Sequence, residues 1–169
     1  MKALEIDNTL AEAHASLGSI KWHVDWDWDG AERGFLRAIE LNPGYADAHY
    51  NYAYILMLMA RFEESIREMK LALELDPLSL IINRNLGQVF YRDRQHDQAI
   101  ETFHKTLEMD PTFTYTNHYI GRTYLQISMF KEALSEFKKE KEIRKGVDLY
   151  SDAMIIVTNA LMGEKDEAR

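Results

Sequence analysis

The segment 72–83 reads ALELDPLSLIIN, and the same phrase returns on either side of it, as AIELNPGYADAH at 38–49 and TLEMDPTFTYTN at 106–117. In each, a helical stretch runs into an Asn or Asp, a proline, and a second stretch of apolar residues. Pro43, Pro77 and Pro111 are the only prolines in the 169 residues, and they stand 34 residues apart. Self-similarity at this period marks stacked helix–turn–helix units, none of which buries its apolar face alone. Proline lacks the N–H that a continuing helix needs, so one helix must stop before it and the next start just beyond, at Tyr45, Ser79 and Thr112 or Phe113.

Numbering each unit from just after its proline loop exposes a register. Position 8 is Gly18, Ala53, Gly87 and Gly121, and position 20 is Ala31, Ser65, Ala99 and Ala133. Small side chains there let the two helices of a unit approach closely, while Phe35, Met69, Phe103 and Phe137 at position 24 fill the space beside them. Position 27 is Ala38, Ala72, Thr106 and then Glu140. The spacing predicts paired helices at 10–24 with 29–41, 45–60 with 62–75, 79–94 with 96–109, and 113–128 with 130–144, then a fifth first helix at 148–162.

Small residues at 8, 20 and 27, large ones at 7, 11 and 24, and proline at 32 resemble the tetratricopeptide repeat, in four units in register over nearly the whole chain. The resemblance implies an all-α fold, an α-solenoid of antiparallel helix pairs wound as a right-handed superhelix. It divides the chain into the end of a preceding repeat (1–8), repeats at about 11–45, 46–79, 80–113 and 114–147, and a partial fifth at 148–169. KALEID before Asn8 and EKDEAR after Gly163 read as pieces of neighbouring helices, so a fragment of a longer chain is expected. Some positions depart from the pattern. Position 4 carries His14, His49, Asn83, Asn117 and Asp152 instead of an aromatic; VDWDWDG holds one extra residue in the first inner turn; Lys21 takes a large apolar place that Ile20 or Trp22 must fill. The charged stretch ending the fourth unit has no proline, and the weakest stacking is expected there.

Composition excludes several classes. A formal charge of −8 and a pI near 5.2 oppose nucleic-acid or anionic-membrane partners, which need clustered Lys and Arg. The absence of cysteine removes disulfides and thiolate zinc sites and leaves cytosol and periplasm both open, with the cytoplasm favoured. The apolar runs at 52–60 and 153–157 fall short of the roughly 20 residues that span a bilayer, and no signal peptide is evident.

No catalytic constellation emerges, and no cofactor, metal or enzyme activity is expected. Asp25, Asp27, Asp29 and Gly30 resemble half of a calcium loop, but the place of its bidentate Glu is held by Leu36, which the register turns toward the core. An inter-helix turn with capping acids is the better reading. Trp26 and Trp28 there either pack under the turn or anchor a neighbouring domain. None of the six histidines pairs as His-x-x-x-His. The mixed charges of Lys138 to Lys145 read as a solvated outer face.

The family's groove positions on the first helices, carried over by the resemblance, are Glu12, Ala15, Ser19, Trp22 and His23; Asp47, Tyr50, Tyr54, Met57 and Leu58; Ile81, Arg84, Gln88, Tyr91 and Arg92; Tyr115, His118, Arg122, Leu125 and Gln126. Of these, Tyr50, Tyr54, Arg84, Gln88, Tyr91, Arg92, Tyr115, His118 and Arg122 form the candidate binding site, with Trp26 and Trp28 a secondary contact. Tyr and Arg dominate interface energetics, although the tyrosines equally suit core packing, and Arg84, Arg92 and Arg122 either grip a carboxylate or pair with Asp93, Asp97 or Asp47. The subset of the family that clamps a terminal carboxylate with Lys at 5 and Asn at 9 is not reproduced. The expected function is a non-catalytic scaffold binding a peptide or partner helix in a concave groove. The alternative is a regulatory or spacer segment of a larger signalling enzyme or transcriptional regulator. Leu149, Ile155, Ile156, Val157 and Leu161 add an apolar face through which a homodimer would form.

Overall fold

The computed structural model describes residues 8–145 and 148–167, so the KALEID segment lies outside the described residues. Among these there are nine helices and no strand: α1 (Ala11–His23), α2 (Trp28–Leu41), α3 (Ala46–Leu58), α4 (Phe62–Leu75), α5 (Leu80–Arg92), α6 (His96–Met109), α7 (Thr116–Gln126), α8 (Phe130–Ile143) and α9 (Leu149–Glu167). The fold is the expected all-α helical-repeat solenoid. It divides into two compact units, Met1–Val89 and Phe90–Arg169, with the break inside α5.

The turns within pairs share one device. Trp26, Ala60, Arg94 and Ser128 recur every 34 residues, and all sit in the left-handed region, with φ of 56°, 60°, 60° and 61°. In three of these turns the following N–H closes back on the ending helix: Arg61 to Leu56 O, Gln95 to Phe90 O and Met129 to Tyr124 O, each at 2.9 Å. This bond stops the helix and reverses the chain. In the first unit the equivalent donor, Asp27 N, reaches one residue further, to Lys21 O, which places the extra residue between α1 and Trp26. Proline ends the second helices, and the residue before it explains its own identity: Asn42 Oδ1 accepts from Gly44 N at 3.1 Å, and Asp110 Oδ1 from Thr112 N at 2.8 Å. The polar residues at position 4 brace the same loops. His14 meets Asn8 O at 2.9 Å, His49 meets Pro43 O at 3.0 Å, and Asn83 donates to Pro77 O at 3.3 Å.

Every residue at positions 8, 20, 24 and 27 of the four units is buried. A Cβ at Gly18 would stand 3.0 Å from the Phe35 ring, and one at Gly34 would stand 2.9 Å from Gly18 Cα, so α1 and α2 touch backbone to backbone. A Cβ at Gly121 would come within 2.7 Å of Phe137. Where the large residue is the slimmer Met69, the small one is Ala53, whose carbonyl accepts from Ser65 Oγ at 2.7 Å. Trp22 packs against the core of this unit and fills the place that Lys21 leaves, while Ile20 stays exposed. A polar clasp crosses α2 and α3: Glu32 Oε1 accepts from Tyr52 Oη and from Arg61, both at 2.8 Å, and Arg61 also grips Glu64.

The second unit departs from the expectations in an instructive way. Helix α7 starts at Thr116 rather than 113, and Tyr115 before it has φ of 67°. The cause is Glu140, fully buried at the small position of α8, whose Oε1 accepts from Tyr115 N at 2.5 Å. An acid capping the positive end of a helix is favourable, and here it displaces the first turn. The charge run is therefore not wholly solvated. Asp148 is buried beside it, bonded by Ser151 Oγ and 3.2 Å from Arg144. Two further expectations are corrected. Leu36 is 40% exposed, not core-facing, because Phe35 takes the inward direction. Helix α9 runs unbroken to Glu167, through the point where a turn was expected, so residues 164–167 continue that helix instead of starting a new one.

Substituting Gly121→Ala should cost about 1–3 kcal/mol in chemical denaturation, since the new methyl overpacks against Phe137. Ala60→Gly should add about 1 kcal/mol by relieving a left-handed Ala on an exposed turn. Burial, and then the charge of Arg122, holds the His118 ring down at about 4, against 6.5 ordinarily. The folded protein thus binds fewer protons than the unfolded chain. This contribution is present above 6.5 and is lost as pH falls toward 4, by about 2–3 kcal/mol. Glu140 acts oppositely: burial raises its carboxyl above the usual 4.5, so its contribution fades as pH rises through the raised value. His118→Gln should remove the acid-side loss between pH 7 and 4.5 in denaturation midpoints, and an unchanged loss would contradict this origin.

Candidate functional site

In the first unit the expected residues assemble into an aromatic strip. Trp22 from α1 has its ring centre 5.9 Å from Trp28 and 5.8 Å from Tyr54, and Tyr54 stands 6.3 Å from Tyr50, one turn earlier on α3. Trp22, Tyr54 and Tyr50 are half-buried, so each is held by packing while part of its surface stays accessible. Helical spacing of four residues puts the two tyrosines on one face. The Tyr50 hydroxyl is fixed by Asn85 Nδ2 at 2.7 Å, and Asn85 Oδ1 takes bonds from Gln88 Nε2 at 2.8 Å and Arg84 at 3.5 Å. Burial pushes the Tyr50 hydroxyl above its usual range, which keeps it a neutral hydrogen-bonding group. Gln88 is thus a buried brace rather than an open contact, and Met57 and Ala15 belong to the core. Asn85 organises this end of the strip. It neighbours the groove positions in sequence, and its spacing from Gln88 on one helix is the only signal it left.

In the second unit Arg122 lies over the Tyr91 ring, 5.1 Å from its centre, and 5.9 Å from that of Tyr119. Tyr119 was not among the expected residues; its three-residue spacing from Arg122 on α7 was the available clue. Tyr115 is covered by the Arg144 guanidinium at 4.5 Å, and His118 is buried, its ring against Phe137. His118 is therefore a buried residue rather than an outward contact, while Tyr115 is half-buried beneath Arg144. Arg92 is exposed at the end of α5. Neither Arg92 nor Arg122 has an ion pair among the described residues; Asp93, one suggested partner, is bonded to the Gln95 side chain.

The two tryptophans of the first turn part company. Trp28 packs on the core, whereas Trp26 is 72% exposed, and nearby in the chain Val24 and Ile20 are 67% and 51% exposed. The acids there cap and brace: Asp27 Oδ1 accepts from Gly30 N at 2.8 Å, and Lys21 lies 3.5 and 3.4 Å from Asp25 and Asp27. Among the described residues no group of three His, Cys, Asp or Glu could hold a metal ion, and no helix is long and apolar enough to cross a membrane.

Residues 35–67 and 59–112 match sequence models of the tetratricopeptide repeat. No curated protein matches the chain. Solved structures share the fold at low identity. YrrB, a tetratricopeptide-repeat protein with an unusual peptide-binding site, superposes with a TM-score of 0.72 at 21% identity, covering 99% of this chain and 85% of that one. PilW, a widely conserved type IV pilus biogenesis factor, gives 0.88 at 22%, covering 96% and 74%. MamA gives 0.74 at 24%, covering 85% and 84%. The 34-residue register, the buried small and large positions, the family matches and these shared folds agree: residues 35–112 are tetratricopeptide repeats, within a chain built as an all-α helical-repeat solenoid.

Proposed function

We propose that the protein is a non-catalytic scaffold whose first-helix faces hold an extended peptide or a partner helix, with the strip Trp22–Tyr54–Tyr50 as the principal contact of the first unit. The helical-repeat fold supports a protein–protein interaction scaffold and protein or peptide partners. The finer reading is carried by the strip itself. Its rings stand 5.8 and 6.3 Å apart, close to the roughly 6.6 Å that separates alternate side chains of an extended chain. An extended peptide could therefore lay successive same-side residues on successive rings. Half-buried aromatics held by neighbours give contact area at low entropic cost, which is why such residues become hot spots. A peptide-binding site in a protein of the same fold is consistent with this reading and carries no more than that.

A second reading is favoured by one observation. The exposed apolar knuckle of Ile20, Val24 and Trp26 suits docking against a neighbouring domain of a larger signalling or regulatory protein. Self-association through α9 has similar support, because Leu149 and Ile156 are 84% and 70% exposed.

Tyr54→Ala should weaken a partner captured from the source lysate by about 2 kcal/mol while leaving the helical circular dichroism unchanged. A partner that survives Tyr54→Ala and is lost on Trp26→Ser would transfer the function to the knuckle.

A further inference from the structure

We infer that the first-helix face of the second unit selects peptides bearing Asp or Glu side chains, read by the guanidinium of Arg122. The inference rests on the peptide-binding reading and adds the chemistry of the ligand.

The Arg122 guanidinium carbon lies over the Tyr91 ring, 5.1 Å from its centre, and 5.9 Å from the centre of the Tyr119 ring, which meets Tyr91 edge-on. A cation–π contact spends none of a guanidinium's N–H donors, and those donors match the two oxygens of a carboxylate. Among the described residues Arg122 has no hydrogen bond and no ion pair, although it is half-buried. Contrast Arg61, which holds Glu32 and Glu64, and Arg144, which faces Asp148. A partly desolvated cation without an anion is costly, and the cost is recovered when a ligand supplies one. His118, one turn earlier on α7, adds no competing positive charge near pH 7, because burial and the Arg122 charge hold its ring at about 4. Arg92, next to Tyr91, adds a second cation without an ion pair on the same short stretch of α5.

Charge sets the size of the ligand. The whole chain carries −8, so a polyanion such as nucleic acid meets a repulsive field, whereas one or two carboxylates on a peptide can reach a local guanidinium. Phenolic rings under the arginine further suit a ligand with an aliphatic stem and a terminal carboxylate.

The test titrates the isotope-labelled protein with Ac-Ala-Glu-Ala-Glu-Ala-Ala-NH2 and with Ac-Ala-Gln-Ala-Gln-Ala-Ala-NH2, whose capped ends leave two side-chain carboxylates in the first and none in the second. The Arg122 Nε–H and Tyr54 signals are followed by NMR. The Glu peptide should move the Arg122 signal and bind roughly tenfold more tightly than the Gln peptide, as a charge-assisted pair implies. Its advantage should shrink with added salt and vanish in Arg122→Gln, while Arg33→Gln leaves it intact. Arg122→Lys, which keeps the charge and the stem, should retain part of the preference and serves if the Gln variant is unfolded. Equal binding of both peptides with Tyr54 shifts would overturn the inference and leave the groove reading standing. A Glu preference that survives Arg122→Gln would also overturn it. No shift at either residue would count against both.

Discussion

Two helices of a pair can lie together here only where one of them has almost no side chain. Gly18 meets Phe35 and Gly34, and Gly121 meets Phe137, at distances that leave no room for a methyl group. The 34-residue period is the spacing at which this contact can be repeated, and the left-handed residue of each inner turn is what brings the chain back in register to make it. The small and large positions face inward, while parts of the opposite side of the first helices stay half-buried. That is where Trp22, Tyr54 and Tyr50 stand.

The parts of this design that were legible in the sequence are the parts that recur. Proline spacing located the loops, and the small and large positions located the pair contacts, with helix ends within a few residues. What escaped were single substitutions whose meaning depends on a partner elsewhere in the chain. Glu140 looked like a defect at a small position, yet its carboxylate reaches across to the start of α7 and re-forms it. Periodicity cannot foresee that a longer side chain will bond a neighbouring backbone rather than clash with it. Leu36 was misdirected because Phe35 takes the inward place at that turn and leaves Leu36 40% exposed.

The candidate site was half legible in the same sense. Tyr50, Tyr54 and Arg122 occupy positions where the structure leaves surface available, whereas Tyr115 and His118 are taken into the polar cluster around Glu140 and Asp148. Position along a helix predicts direction, but not whether a neighbour will claim the side chain. The supporting residues, Asn85 under Tyr50 and Tyr119 under Arg122, became visible only with coordinates. They matter because a binding surface needs its contact residues held still before a ligand arrives.

The central claim is that recognition uses the first-helix face. The most direct test places a photo-crosslinking benzoylphenylalanine at Tyr54 in one variant and at Arg67, exposed on α4, in another, and irradiates each in the source cells. Crosslinks to a discrete partner from position 54, with none from position 67, are the result the account predicts. The same partner captured from position 67 with none from position 54 would contradict it.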